Sequence, residues 1–197
     1  MKHSLVLFFI IACTACNSIK EADRLANKQQ IEIIYPDAVF DSVAAKKLMA
    51  YGNSAIKGLV YKKTNKLSVV GGKQYGSNIV ITLFPVTPYL MDWYKLREKK
   101  ESKRTKVYIA DHVARFRFEV VSDAYGRFVF DKIKPGKYFI QAFMTTIKNL
   151  TRDVEVGANS YGTKFYQKQQ YSVSKGHRLE QFIEISKEGE VQEVVLK

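Results

Sequence analysis

The stretch from Ser122 to Ala142 constrains the fold more than any other part of the chain. Asp123 and Gly126 suit a tight turn, because the carboxylate can bond nearby backbone amides and glycine takes a positive φ without steric cost. Phe128 and Phe130 then share one face of a strand. Pro135-Gly136 suits the two central positions of a type II turn. Tyr138, Ile140 and Ala142 share one face of the strand that follows. A turn, an aromatic strand, a second turn and a second aromatic strand at this spacing predict a β-rich core.

The same period of two recurs elsewhere. Ile56, Gly58 and Val60 alternate with Lys57, Leu59 and Tyr61, and Gly71-Gly72 marks a turn. Ile79, Ile81 and Leu83 alternate with Val80, Thr82 and Phe84 up to Pro85. Phe116, Phe118 and Val120 alternate with Arg115, Arg117 and Glu119. Further strands are expected at Lys137–Thr145, Glu180–Ser186 and Val191–Leu196. Several short strands separated by turn signals predict an all-β sandwich. Phe116, Phe118, Phe128, Phe130, Tyr138 and Ile140 are expected to be buried together. Hydrophobic residues make up 46% of the chain, enough for a core and too many for disorder throughout.

Two helices are expected beside the strands. One spans Pro36 to Gly52, capped by Asp37, with Val39, Phe40, Val43, Ala44 and Leu48 at helical spacing. The other opens at Thr87-Pro88, a good N-cap and first-turn pair, and gathers Tyr89, Leu90, Trp93 and Leu96 on one face.

The run Asp123-x-x-Gly126-x-Phe128-x-Phe130, a spacer with Ile133, and Pro135-Gly136-x-Tyr138 resembles the carboxypeptidase regulatory-like family. That resemblance implies a transthyretin-like (prealbumin-like) Greek-key β-sandwich, here with an N-terminal helix and an inserted short helix. It says almost nothing about function, since that module serves in many settings. The chain departs from the family pattern at residues 86–113, an insertion between two expected strands, and after Thr145.

The first residues read as an export signal. Met1 to Ser4 form a short basic start, and Leu5 to Ala12 form an apolar run too short to span a bilayer. Cys13 and Cys16 follow at once. The segment resembles a signal of the signal-peptidase-II type, which implies a palmitate-bearing lipoprotein. Cys16 gives the more usual signal length as the lipidated residue, while Ile10-Ile11-Ala12-Cys13 fits the family's lipobox better. A plain secretory signal is the remaining alternative. Thr14 and Asn17, the residues after each candidate cysteine, are not Asp, which by analogy implies an outer-membrane anchor, on the periplasmic side. The expected organisation is a signal at 1–15, a tether at 16–35, a helix at 36–52 and the sandwich at 53–197.

No cysteine follows Cys16, so the body of the chain can have neither a disulfide framework nor a thiolate metal site. His112 and His177 stand in unrelated segments, and no motif of a hydrolase, a nucleotide-binding loop or a calcium loop occurs. The expectation is a protein without enzyme activity, cofactor or metal. The formal charge of +13 favours anionic partners. Lys95, Arg97, Lys99, Lys100, Lys103, Arg104 and Lys106, against Glu98 and Glu101, make the end of the insertion a cationic arm. Trp93, Arg97, Lys100, Lys103 and Arg104 are the candidate partner-binding residues, with the four cations expected in water. Tyr161, Phe165, Tyr166 and Tyr171, set among lysines and glutamines, are a second candidate, with a twisted hairpin carrying surface tyrosines as the plainer reading.

The expected function is an envelope lipoprotein, held to the bilayer by its acyl anchor, that docks another envelope protein. The alternative is binding of an acidic glycan or lipopolysaccharide through the basic insertion. Nucleic acid is not an expected partner, since export removes the chain from it and no nucleic-acid motif occurs.

Overall fold

The computed structural model describes residues 30–63 and 72–197. The export signal, Cys13, Cys16, most of the tether and Gly71 lie outside the described residues. In chain order the elements are β1 (Glu32–Ile34), α1 (Ser42–Met49), β2 (Ser54–Lys63), β3 (Lys73–Tyr75), β4 (Val80–Pro85), α2 (Pro88–Lys100), β5 (Thr105–Val107), α3 (Asp111–Ala114), β6 (Phe118–Val121), β7 (Arg127–Ile133), β8 (Gly136–Ala158), β9 (Lys164–Ile185) and β10 (Val191–Leu196). They fall into two compact units. Among the described residues, one is built from those up to Phe40 with Pro88–Asp111, the other from Asp41–Thr87 with His112–Lys197.

The larger unit is an all-β sandwich. In one sheet β2 is central, parallel to β10 on one side and antiparallel to β7 on the other, with β3 pairing beyond the end of β7. The second sheet has the order β6-β4-β8-β9, all antiparallel. Ile56, Val60, Phe128, Phe130, Val194 and Leu196 from the first sheet meet Ile81, Leu83, Tyr138, Ile140, Ala142 and Leu179 from the second in one core. Burial of such apolar side chains, each contributing about 1.5–3 kcal/mol, is the main force holding the sheets together.

The Asp123 turn forms as its residues predict. Asp123 Oδ1 accepts from Tyr125 N and Arg127 N, both at 2.8 Å, and Gly126 N donates to Asp123 O at 3.0 Å. Gly126 takes φ +75°, and a Cβ there would fall 2.4 Å from the Val60 carbonyl oxygen. The backbone amide of Arg127 is the foremost cause holding the Asp123 carboxyl below its usual range.

Two expectations within the sandwich are corrected, and a bulge explains a third feature. Pro135-Gly136 makes a bend and not a type II turn, with Gly136 at φ +156° already in β8. The bend is closed by Tyr138, whose hydroxyl donates to Lys134 O at 2.8 Å. Phe116 stays half-buried outside the core, because β6 begins only at Phe118 and Phe116 N donates to Val113 O in a turn. Phe128, Phe130 and Ile133 are all buried although their spacing breaks period two. A bulge between the partners of Ser54 and Ile56, with Lys132 at φ +56°, inserts one residue and returns Ile133 to the core face.

The expected helix over Pro36–Gly52 is shorter, Ser42–Met49, and Asp41, not Asp37, caps it by accepting from Val43 N and Ala44 N at 2.9 Å. Ala45 is buried within the helix, while Val43 in its first turn and Val39 before it are 75% and 89% exposed. The end of the expected tether is strand: Glu32–Ile34 runs parallel to Thr105–Val107 in the smaller unit.

The largest departure lies in β8 and β9. Both run far past the expected ends at Thr145 and Glu180, pairing without interruption from Gly136/Ile185 to a bulge near Gly157. From Thr145 to Ala158 the ladder is two strands alone, about 46 Å long at about 3.3 Å per residue. This arm has little apolar–polar alternation because neither face is buried.

Candidate functional site

The insertion does not present its cations as one free cluster. In α2, Tyr89, Leu90 and Trp93 are buried, and Leu96 is half-buried. Trp93 Nε1 donates to Val107 O at 3.2 Å, and the Tyr89 hydroxyl accepts from Ala110 N. Arg97, expected in water, is 4% exposed. It lies one turn beyond Trp93 and Tyr94, so its guanidinium stacks at 4.4 Å from the Trp93 ring and 4.9 Å from the Tyr94 ring. Arg97 and Trp93 thus belong to the packing of the smaller unit. Lys100, Lys103 and Arg104 are exposed, as expected, around a turn in which Ser102 Oγ accepts from Arg104 N and Thr105 N.

The late aromatic residues lie on a hairpin, in keeping with the plainer reading. The structure does not gather them. Tyr161 is at the tip, 93% exposed, in a loop where Asn159 Oδ1 accepts from Tyr161 N and Thr163 N. Tyr166 lies opposite Glu155, on one face of the arm, and Tyr171 opposite Leu150, on the other.

A better-formed site sits at the root of the arm, where sequence reading placed none. The end of β2 and the first turns of the arm enclose a groove of about 480 Å³, lined by Lys62, Lys63, Thr146, Ile147, Lys148, Leu150, Val173, Lys175 and His177. Lys62 and Lys63 reach it because β2 continues past β7 to pair with β3. Thr146, Lys148 and Leu150 alternate on β8, opposite Lys175, Val173 and Tyr171 on β9. Gln74 Nε2 donates to Thr145 O at 3.2 Å and ties β3 to the arm beside it.

Four ammonium groups and no carboxylate are among the groove-lining residues. His177 Nε2 lies 2.8 Å from Thr146 Oγ1. Burial first, then the charges of Lys62 and Lys175, hold the imidazole below its ordinary value, so it is neutral at pH 7. Such a recess attracts anions, and Leu150 and Val173 offer C–H surface beside the charges. Among the described residues no group of three or more His, Cys, Asp or Glu side chains could hold a metal, and no helix is long and apolar enough to cross a membrane.

The described residues form an all-β sandwich with short helices. No protein-family model matches the chain, and no curated protein does. Among solved structures it is similar to a "putative carbohydrate binding protein" from Pseudomonas aeruginosa, with a TM-score of 0.52 and 23% identity. That similarity covers 81% of this chain and 97% of the other. The likeness is one of fold.

Proposed function

We propose that this chain is a non-enzymatic binding module whose groove holds an acidic glycan. The observation that carries the reading is the cation-lined, carboxylate-free recess of Lys62, Lys63, Lys148 and Lys175 with aliphatic walls. Charge gives long-range attraction, and the apolar walls suit the C–H face of a sugar ring. The designation of the Pseudomonas aeruginosa protein as carbohydrate binding agrees with this reading without deciding it. The transthyretin-like resemblance of the Ser122–Ala142 run belongs to the same proposal, as does a lipid anchor on Cys16, or on Cys13, that would hold the module at the outer membrane. Docking of an envelope protein would draw on Lys100, Lys103 and Arg104 instead. The glycan is preferred because the groove combines four lysines with aliphatic side chains in one recess, whereas those three cations lie open on a turn.

The test is affinity electrophoresis of the mature chain through gels containing polygalacturonate, with dextran as the neutral control. Retardation by the polyuronate alone, weakening from 50 to 500 mM salt and abolished by the Lys62→Glu/Lys175→Glu double variant, is the expected result. Equal retardation of wild type and double variant would overturn it.

A further inference from the structure

The groove is closed only toward the sandwich. Beyond Leu150 the same face of the arm continues in the open, and its residues are sorted by charge. Facing residues in a ladder share a face, and faces alternate along a strand. The groove face therefore continues from Lys148 and Leu150 to Arg152 and Val154 on β8, and from Tyr171 to Gln169 and Gln167 on β9. Its cations from Thr146 to Val154 are Lys148, Arg152 and Lys175, and no acidic residue lies among them. Asp153 within this stretch and Glu155 just beyond it are on the opposite face, where Asp153 lies across from Lys168 and Glu155 accepts from Lys164 Nζ at 2.9 Å.

Arg152 is also positioned. Its Nη2 and Nε donate to Gln169 Oε1 at 2.8 and 3.1 Å, and its guanidinium lies 5.6 Å from the centre of the Tyr171 ring. Tyr171 remains 40% exposed. A cation fixed beside an accessible aromatic ring, about 13 Å along the strand from Lys148, repeats the groove's combination of positive charge and apolar surface.

We infer that Arg152 and Tyr171 form a second subsite, and that the ligand is a long, linear polyanionic glycan running from the groove out along this face of the arm. The inference rests on the groove reading and adds the polymeric character of the ligand. A chain of uronate residues presents a carboxylate to each cationic row in turn, while a short fragment fills only the groove. Two linked contacts then make affinity rise with ligand length.

The experiment compares trigalacturonate with long-chain polygalacturonate by titration calorimetry on the mature chain. In the Arg152→Gln/Tyr171→Ala variant, trigalacturonate affinity should be unchanged and long-chain affinity should fall about tenfold. In Lys62→Glu/Lys175→Glu, both should be lost. Gln169→Ala, which frees Arg152 without removing its charge, should give a smaller long-chain loss. Unchanged long-chain affinity in the Arg152/Tyr171 variant overturns the second subsite and leaves the groove standing. Unchanged binding of both probes in the lysine variant overturns the groove itself. Circular dichroism confirms that each variant is folded.

Discussion

The ring of Phe128 lies directly over Gly58 across the β2–β7 ladder, so close that a Cβ on Gly58 would fall 2.1 Å from Phe128 Cζ. The glycine in the middle of β2 is thereby explained: its missing side chain is the space the ring occupies. Gly58→Ala should force the ring off its position and destabilise the sandwich by about 1–3 kcal/mol. Phe128→Ala should cost about 3–5 kcal/mol by leaving a cavity. Urea denaturation of both variants checks this, and a wild-type midpoint for Gly58→Ala would be incompatible with the packing described.

Ser122 does the work of a turn from inside the protein. Its buried hydroxyl donates to Gly76 O at 2.5 Å and accepts from Ile79 N at 3.1 Å, joining the ends of β3, β4 and β6. Ser122→Ala leaves both backbone groups unmet and should cost about 1–3 kcal/mol. Thermal denaturation measures it, and Ser122→Thr is expected to recover part of the loss.

The pH dependence of binding should come from His177. Its pKa is lowered by burial and by Lys62 and Lys175, so the group is neutral at pH 7 and gains a proton only below its ordinary range. A bound polyanion favours the protonated form, so affinity should increase as pH falls from 7.5 to 5, where a uronate is still ionised. His177→Gln should flatten that increase while keeping the affinity measured at pH 7.5. A slope identical in wild type and His177→Gln would assign the dependence elsewhere.

Hydrogen exchange should divide β8 in two. Amides of Tyr138–Ala142, paired on both sides in the buried sheet, should exchange slowly. Amides of Thr146–Val154 lie in a ladder of two strands, which is marginally stable in water without cover, and should exchange much faster. Polygalacturonate should slow the second group and leave the first unchanged. Uniform protection along β8 without ligand would show that the arm is covered by something else.

The fold was legible where residues are buried, because burial imposes a pattern. Ile56/Val60, Ile81/Leu83, Phe128/Phe130 and Tyr138/Ile140 all sit on the predicted faces. Phe116 and the Pro36–Gly52 helix were misplaced because pattern alone does not fix where a strand starts or which aspartate caps. Arg97 was read as a surface cation because its charge hides that a long side chain can lie flat on Trp93 and Tyr94. The groove escaped notice for a different reason. Its lysines come from three distant strands, and none of them stands in a charge run like that of Lys95–Lys106. One signal was present: Lys148, Leu150, Arg152 and Val154 alternate with Asn149, Thr151, Asp153 and Glu155, so that both acids fall on one parity. Reading that as a strand requires expecting an exposed one.

Chemical-shift mapping locates the ligand most directly. Trigalacturonate titrated into the 15N-labelled protein should move the amides of Lys62 and Lys63, Thr146–Leu150 and Val173–His177, and should leave Lys100–Arg104 unmoved. Shifts confined to Lys100–Arg104, or none anywhere at millimolar ligand, would contradict a glycan site in the groove.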